Sequence, residues 1–169
     1  MELNKYVFRK YDKRFPKLFL KEKRRLLKIL PSGSEIEHVG STSVPGLGGK
    51  GIIDIIVGVN KKEVNRAKKD LEKFGYLWIK TAGDKNRIFF QKDYGFIFKR
   101  RVHIHLTTKK SITWRKHIAL RNFLRANKKI AKKYEELKKK AVKYSENIGE
   151  KYRNYKNKFI VGLLKKALK

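Results

Sequence analysis

Residues 36–59 read IEHVGSTSVPGLGGKGIIDIIVGV. The stretch combines a Gly-Ser turn, a glycine-rich loop with one lysine, and a single aspartate inside an apolar run. This order predicts a strand, a loop of a size that suits a phosphate group, and a second strand that carries an acid. A phosphate-bearing ligand and a metal ion are the partners that such a layout would serve.

The composition indicates a folded protein without cysteine. The chain has 169 residues, of which 40% are hydrophobic, so one domain with a hydrophobic core is expected. The absence of cysteine excludes disulfides, zinc-thiolate sites and thiol catalysis, and it fits a cytoplasmic location. No apolar run approaches the roughly 20 residues of a membrane span, so we expect neither a membrane partner nor a secretory signal.

The charge is strongly unbalanced. Lys and Arg number 46 against 15 Asp and Glu, a formal net charge of +31. A polyanion such as nucleic acid or a nucleotide would explain this excess, and so would a lysine-biased proteome or an adaptation to heat or salt. Because the lysines are spread along the whole chain, both interpretations stay open. Nonspecific, salt-sensitive nucleic-acid binding is expected under either, and the oligomeric state is not indicated.

Apolar periodicity and turn residues predict the elements of the first half. Phe15, Phe19 and Leu26 recur on one side of a basic segment, and Pro16 suits a first helical turn. The β-branched run that contains Asp54 reads as a buried central strand. The predicted elements are a helix over Tyr11–Leu30, a strand over Glu35–Val39, a loop over Gly40–Gly51, a strand over Ile52–Val59 and a helix over Asn60–Phe74 that Gly75 closes.

Three further strands and a helical end complete the prediction. The strands are Tyr76–Lys80, Arg87–Lys92 and Lys99–Thr107, with turns at Gly83-Asp84 and Asp93–Gly95, and residues 96–98 extend one of the neighbouring strands. From Ser111 onward the chain is predicted to be helical, with a break at Gly149 before a last helix over Tyr152–Lys169. The expected fold class is α+β: a mixed β-sheet over about residues 35–107 with packed helices, and a helical C-terminal third over about 111–169.

One acid and two histidines are the candidate catalytic residues. An ionised Asp54 in so apolar a run is costly unless it is paired or binds a metal. In RVHIHL at 101–106, His103 and His105 share one face of a strand, which is a common way to present two ligands to a metal or two contacts to a phosphate. The alternative is an Asp54 that caps a loop or pairs with Lys50, and two half-exposed histidines. His117, on the predicted helix, is assigned no role.

The candidate phosphate-binding residues come from the loop and the long helix. Backbone N–H groups at Gly40-Ser41, the hydroxyls of Ser41 and Thr42, and the charge of Lys50 could hold a phosphate. The loop matches neither the P-loop pattern nor the dinucleotide fingerprint, and a glycine-rich connection by itself is usually only a loop. Arg121 and Arg125 are four residues apart on one helix face and could clamp an anion, with Lys138 and Lys156 in addition.

The sequence resembles the GrpB family of the nucleotidyltransferase superfamily, which has a DNA polymerase beta-like fold. The resemblance rests on EHVGSTSVPGL at 37–47, KGIIDI at 50–55, HIH at 103–105, Trp114, LRNFLR at 120–125, Tyr134, Lys138, Tyr152 and Lys156. It covers nearly the whole chain and implies one GrpB-like domain over residues 1–169. It also implies that Gly40 and Ser41 hold the triphosphate of a nucleoside triphosphate and that Asp54 binds Mg²⁺ in a two-metal nucleotidyl transfer.

The chain departs from the superfamily pattern in two ways. The second acid would stand at position 56, where this chain has isoleucine, and the later strand brings His103 and His105 instead of a third acid. Asn122 also replaces the aspartate that is usual in the family. Mg²⁺ prefers oxygen ligands, so Asp54, His103 and His105 would suit Mn²⁺, Zn²⁺ or Fe²⁺ better, or would contact phosphate without metal.

The sequence is compatible with three functions. The first is binding or transfer of a nucleotide or a related phosphorylated ligand, with Asp54 on the metal and a histidine as ligand or general base. The second is a non-enzymatic module that binds nucleic acid or a protein through its cationic surface. The third is metal-dependent phosphoester hydrolysis at the His-x-His site.

Overall fold

A computed structural model describes residues 7–95 and 100–168 of the chain. The helices are α1 (Phe15–Ile29), α2 (Val64–Lys73), α3 (Ile112–Ala126), α4 (Lys128–Ser145) and α5 (Gly149–Ala167). The strands are β1 (Glu35–Val39), β2 (Ile53–Val59), β3 (Leu77–Trp78), β4 (Ile88–Tyr94) and β5 (Arg100–Thr108). Short 3₁₀ turns cover Ser41–Ser43, Lys61–Glu63 and Lys80–Ala82. The predicted fold class, a mixed α+β structure with a helical C-terminal third, is confirmed.

The five strands form one mixed sheet in the order β1-β2-β5-β4-β3. β2 and β5 are parallel, and the other pairs are antiparallel. A parallel pair needs a long crossover, and here α2, β3 and β4 lie between the two strands along the chain. β2 and β5, which carry Asp54 and the histidine pair, are neighbours in the interior of the sheet.

The two faces of β2 have different neighbours. Ile53, Ile55, Val57 and Val59 join the main core with residues of α1 and α2, as the β-branched run predicts. Asp54, Ile56 and Gly58 face the other side of the sheet, where α3 packs. A methyl group at Gly58 would lie 3.0 Å from the Trp114 ring, so this glycine lets α3 approach the strand closely.

The C-terminal helices form a second layer. The Ser111 side chain accepts a hydrogen bond from the Trp114 N–H and caps α3. Leu124, Ala131, Tyr134 and Leu163, from α3, α4 and α5, form a separate apolar cluster with two residues of the glycine-rich loop. In the part of the chain that the structure describes, no helix has the length and apolar character needed to span a membrane.

Several predicted boundaries differ from the structure. α1 begins at Phe15 rather than Tyr11, β3 has only two residues, and Asp93 and Tyr94 belong to β4 rather than to a turn. A break at Asn127 divides the first predicted C-terminal helix, and Gly149 begins α5 instead of only interrupting the pattern. The predicted contribution of residues 96–98, the start of a strand at Lys99 and the end of the last helix at Lys169 lie outside the described residues.

Candidate ligand-binding cleft

Asp54 lies beside both strand histidines because β2 and β5 pair in parallel. In the register, Asp54 is opposite His103 and Ile56 is opposite His105, so all four side chains share one face of the sheet. Nδ1 of His103 is 3.1 Å from Oδ1 of Asp54, and Nε2 of His105 is 3.8 Å from the same oxygen. The structure thus brings together the three candidate catalytic residues.

The carboxylate and the imidazoles shift each other's protonation. Burial by itself would raise the pKa of Asp54, but the hydrogen bond from His103 and the nearby His105 imidazole hold this pKa below its usual range. Burial lowers the pKa of His105 to about 4. At neutral pH the cluster therefore contains an ionised Asp54 and an uncharged His105.

The Gly40-Ser41 turn lies directly against Asp54. Gly40 has φ +69° and ψ −171°, a conformation that is essentially restricted to glycine. A methyl group there would lie 2.9 Å from Cβ of Asp54 and would overlap its carboxylate. The glycine is needed both for the backbone conformation and for the space that Asp54 occupies.

We expect Gly40→Ala to lower the free energy of unfolding by about 3 kcal/mol, because strain in this backbone region adds to the overlap with Asp54. Gly46→Ala is the matched control: Gly46 also has a positive φ, +79°, but nothing lies within 4 Å of an added methyl group. That variant should lose only about 1 kcal/mol. Urea denaturation of both variants measures the difference, and equal losses would contradict the close approach of Gly40 to Asp54.

The glycine-rich loop after this turn is held by the protein itself. Gly49 exchanges two backbone hydrogen bonds with Arg9, at 2.6 and 2.9 Å. The Gly48 N–H donates to the Glu135 carboxylate, and the Lys138 ammonium donates to the Gly48 carbonyl. The amides of Gly48 and Gly49 are therefore engaged, and the loop residues that line the cleft are Gly40, Ser41 and Lys50.

Three lysines line the cleft: Lys138 from α4, Lys156 from α5 and Lys50 from the glycine-rich loop. Lys138 is 3% exposed, and its Nζ is 4.8 Å from the centre of the Tyr134 ring. Nζ of Lys156 and Nζ of Lys50 are 4.2 and 5.1 Å from the centre of the Tyr152 ring. Burial, and then repulsion between the two helix lysines, lowers the pKa of Lys138 to about 7. Burial, and then repulsion from Lys50, lowers the pKa of Lys156 to about 8.

These side chains line one cleft of about 430 Å³ between the sheet and α3, α4 and α5. Its volume lies within the range of small-molecule sites. Among its described lining residues, five are basic and one is a carboxylate: Lys50, Arg87, Lys116, Lys138 and Lys156 against Asp54. Gly40, Ser41, His103 and His105 line the same cleft. The described lining of the cleft therefore contains more basic than acidic groups.

Three predicted phosphate-binding residues are placed elsewhere. Nη1 of Arg121 donates to Glu37 at 2.6 Å and to the His38 carbonyl at 3.0 Å. Arg125 donates twice to the Ser43 carbonyl and lines a different cleft of about 690 Å³ beside residues 44–47. Thr42 is 1% exposed and donates to the Ile52 carbonyl. Both arginines reach the sheet and its following loop, as their helix face predicts, but they bind protein groups there.

Arg87, Lys116 and His117 line the cleft although the sequence did not single them out as site residues. Nη1 of Arg87 is 3.0 Å from Nδ1 of His105, and the His117 ring lies 4.9 Å from the His105 ring, measured between centres. Arg87 immediately precedes β4, so its position relative to His105 depends on strand pairing that the sequence does not state. His117 reaches the cleft because α3 packs on the sheet.

The donor atoms around Asp54 do not form a metal site. A guanidinium only donates, so Arg87 requires Nδ1 of His105 to accept, and the proton of His105 stands on Nε2, facing Asp54. A metal held by Asp54 and both imidazoles would need a lone pair at that nitrogen. Ile56, fully buried, occupies the place of the second acid. Within residues 7–95 and 100–168, no three His, Asp or Glu side chains are arranged to hold a metal ion.

Comparison with known proteins agrees with the sequence resemblance. The family model described as GrpB protein matches residues 6–166. The glutamate-rich protein GrpB of Alkalihalophilus pseudofirmus is 32% identical over 164 residues, which cover 91% of each chain. The crystal structure of GrpB from Enterococcus faecalis superposes with a TM-score of 0.83 at 32% identity, over 96% of this chain and 97% of that one.

A more distant likeness shows the fold. The Cid1 poly(U) polymerase, solved with MgGTP bound, has a TM-score of 0.54 at 15% identity, over 80% of this chain and 44% of that one. This level of identity supports the nucleotidyltransferase fold and nothing finer. With the family model covering nearly its whole length, the chain belongs to the GrpB family.

Proposed function

We propose that this protein binds a nucleoside triphosphate or a related phosphorylated ligand in the cleft between the sheet and the C-terminal helices. The observation that carries the proposal is the convergence of Lys50, Lys138 and Lys156 on a cleft that also contains Gly40 and Ser41. Two of these lysines have lowered pKa values, so the folded protein holds cations at a cost in stability. An anion in the cleft would remove that cost.

The number of basic groups in the cleft indicates how many phosphate groups the ligand carries. A single phosphate can be bound by one or two basic groups, whereas the cleft presents five basic side chains around its 430 Å³. A di- or triphosphate uses more of them at once. The lysines then provide the counter-charge that the sequence had assigned to a divalent metal on Asp54, His103 and His105, since those donors are not arranged for one.

Calorimetric titration with ATP, AMP and adenosine tests this proposal. We expect affinity to fall in that order, and Lys156→Ala to weaken ATP binding by about tenfold or more, because a charge-assisted contact is lost. Lys158→Ala is the matched control, since Lys158 is exposed on the same helix two residues away. Adenosine binding as tightly as ATP, or equal effects of the two lysine variants, would contradict the proposal.

Nucleic-acid binding is the second candidate, and the net charge of +31 favours it. It would use exposed lysines such as Lys140 and Lys158 as well as those in the cleft. Titration of the same variants with a single-stranded RNA oligonucleotide separates the two functions. A surface interaction would weaken steeply with salt, would be similar for Lys156→Ala and Lys158→Ala, and would not change in Asp54→Ala.

A further inference from the structure

We infer that Asp54 and His103 form a metal-independent acid–base pair in which Nε2 of His103 is the general base. The inference rests on the proposed function for its substrate, a phosphoanhydride held by the cleft lysines. It differs from the two-metal chemistry that the superfamily implies, because it assigns Asp54 to an imidazole rather than to an ion.

The hydrogen bond between Asp54 and His103 fixes the position of the His103 proton. An ionised carboxylate can only accept, so Nδ1 of His103, 3.1 Å from Oδ1, carries the hydrogen. When the ring carries only this proton, Nε2 has the lone pair. Within residues 7–95 and 100–168, no group hydrogen-bonds to this nitrogen, and the ring lines the cleft with its side chain 15% exposed. His103 thus presents a base to the ligand space.

Arg87 determines the tautomer of the neighbouring imidazole, His105, whose proton is on the other ring nitrogen. Its guanidinium donates to Nδ1 of His105 at 3.0 Å, so the His105 proton is on Nε2 and faces Asp54. A second donor nitrogen of Arg87 binds the Ala82 carbonyl at 2.7 Å, which anchors the guanidinium to the loop before β4. Asp54 therefore lies between two N–H groups and acts as an acceptor. Arg87 is a positioning residue, because it acts through His105.

Packing keeps the two rings in place. The Phe89 ring meets His103 and His105 edge to face, with ring centres 4.8 and 5.3 Å apart. The register of β4 on β5 places Phe89 directly opposite His105. Ring orientation is thus determined by the sheet rather than by mobile loops, as a general base requires.

The proposed reaction is hydrolysis of the anhydride. Nε2 of His103 takes a proton from water while the water oxygen forms a bond to a phosphorus atom of the ligand. The P–O bond to the leaving phosphate breaks, and the leaving phosphate keeps the electron pair beside the lysine ammonium groups. Asp54 stabilises the imidazolium that forms, and the proton then passes from Nε2 to the solvent or to the leaving phosphate.

Nitrogen-15 NMR of histidine-labelled protein in the presence of a chelator tests the arrangement directly. The chain has four histidines, and variants of each assign the signals. We expect the proton on Nδ1 of His103 and on Nε2 of His105. His117 should carry its proton on Nδ1, because that nitrogen is 2.9 Å from the Thr113 carbonyl, which can only accept. A proton on Nε2 of His103 would overturn the inference.

Phosphate release from ATP, measured with chelator present, tests the chemistry. His103→Ala should lower turnover by about 100-fold or more. Asp54→Asn should lower it while keeping the His103 tautomer, since the amide oxygen can still accept, and Asp54→Ala should lose the tautomer as well. Asp93→Asn is the control, a carboxylate on β4 that pairs with Arg101.

The two proposals fail in different ways. If calorimetry detects no ATP binding, the proposed function fails, whereas the predicted tautomers would still support the Asp54–His103 arrangement. If ATP binds but turnover is absent, stops on chelation or survives His103→Ala, the acid–base pair is wrong and the binding function stands.

Discussion

Replacing Lys138 with methionine should stabilise the folded protein near neutral pH and weaken ATP binding at the same time. Lys138 is 3% exposed, and its pKa falls from 10.5 to about 7 on folding. At about 1.4 kcal/mol per pKa unit, holding this cation costs about 4 kcal/mol at pH 7. Loss of the hydrogen bond to Gly48 offsets part of the gain, so we expect a net stabilisation of about 2 kcal/mol. ATP affinity should fall about 10- to 100-fold, because one charge-assisted contact is lost.

The lowered pKa of Lys138 determines how the stability advantage of the methionine variant changes with pH. Between pH 7 and 10.5 the unfolded chain keeps the Lys138 proton and the folded chain does not, so the free energy of unfolding of the native protein rises with pH in this window. The advantage of the methionine variant should therefore shrink as pH rises from 7 towards 10, in urea denaturation at each pH. Lys140 is exposed on the same helix, so Lys140→Met should change neither the free energy of unfolding nor the ATP affinity. A pH-independent advantage, or unchanged ATP affinity, would contradict the assignment.

The sequence named Lys138 as an additional anion contact but did not predict that it is buried. The buried residues of α4 are Ala131, Tyr134, Lys138, Ala141 and Ser145, an i, i+3, i+4 pattern with a lysine in a core position. In a chain with 46 basic residues, the residue type alone does not indicate that a particular lysine is buried. Its place in the apolar stripe is what distinguishes it, because a lysine there must be buried, paired or in contact with a ligand.

The sheet was predictable where burial on both faces constrains the residues. The β-branched run of β2 and the alternation in RVHIHL predicted which side chains of β2 and β5 share a face, and the parallel pairing then brings Asp54 to His103. Edge strand β3 was predicted as five residues and has two. An edge strand has one partner, so its length depends on contacts outside the sheet, and here Tyr76 turns into the core.

The helix break at Asn127 was not predicted because the sequence around it contains neither glycine nor proline. Asn127 leaves the helical region with ψ 75°, and its side chain donates to the Phe123 carbonyl at 2.8 Å. A side-chain hydrogen bond of this kind competes with the helical backbone, but an asparagine among lysines is a weak indication of it. The break separates α3 on the sheet from α4, which carries Lys138 to the other wall of the cleft.

Glu22→Leu should lower the free energy of unfolding by about 3 kcal/mol, although Glu22 lies outside the cleft. The residue is 1% exposed on α1, and its Oε1 accepts hydrogen bonds from the hydroxyls of Tyr76 and Tyr94, both at 2.6 Å. Nη1 of Arg25 lies 3.1 Å from the other carboxylate oxygen. Leucine would leave the buried Tyr76 hydroxyl and the partly buried Tyr94 hydroxyl without this acceptor, and this loss of hydrogen bonding is the main cost.

Two further variants separate hydrogen bonding from charge at this site. In Glu22→Gln the amide oxygen can accept from both tyrosines, and the partly exposed Arg25 can turn to solvent, so the loss should be only about 1 kcal/mol. Adding Tyr76→Phe to Glu22→Leu removes one unpaired hydroxyl and should recover part of the stability, a coupling that a double-mutant cycle by urea denaturation measures. If Glu22→Gln were as damaging as Glu22→Leu, the negative charge beside Arg25, and not the tyrosine hydrogen bonds, would hold α1 against β4 and Tyr76.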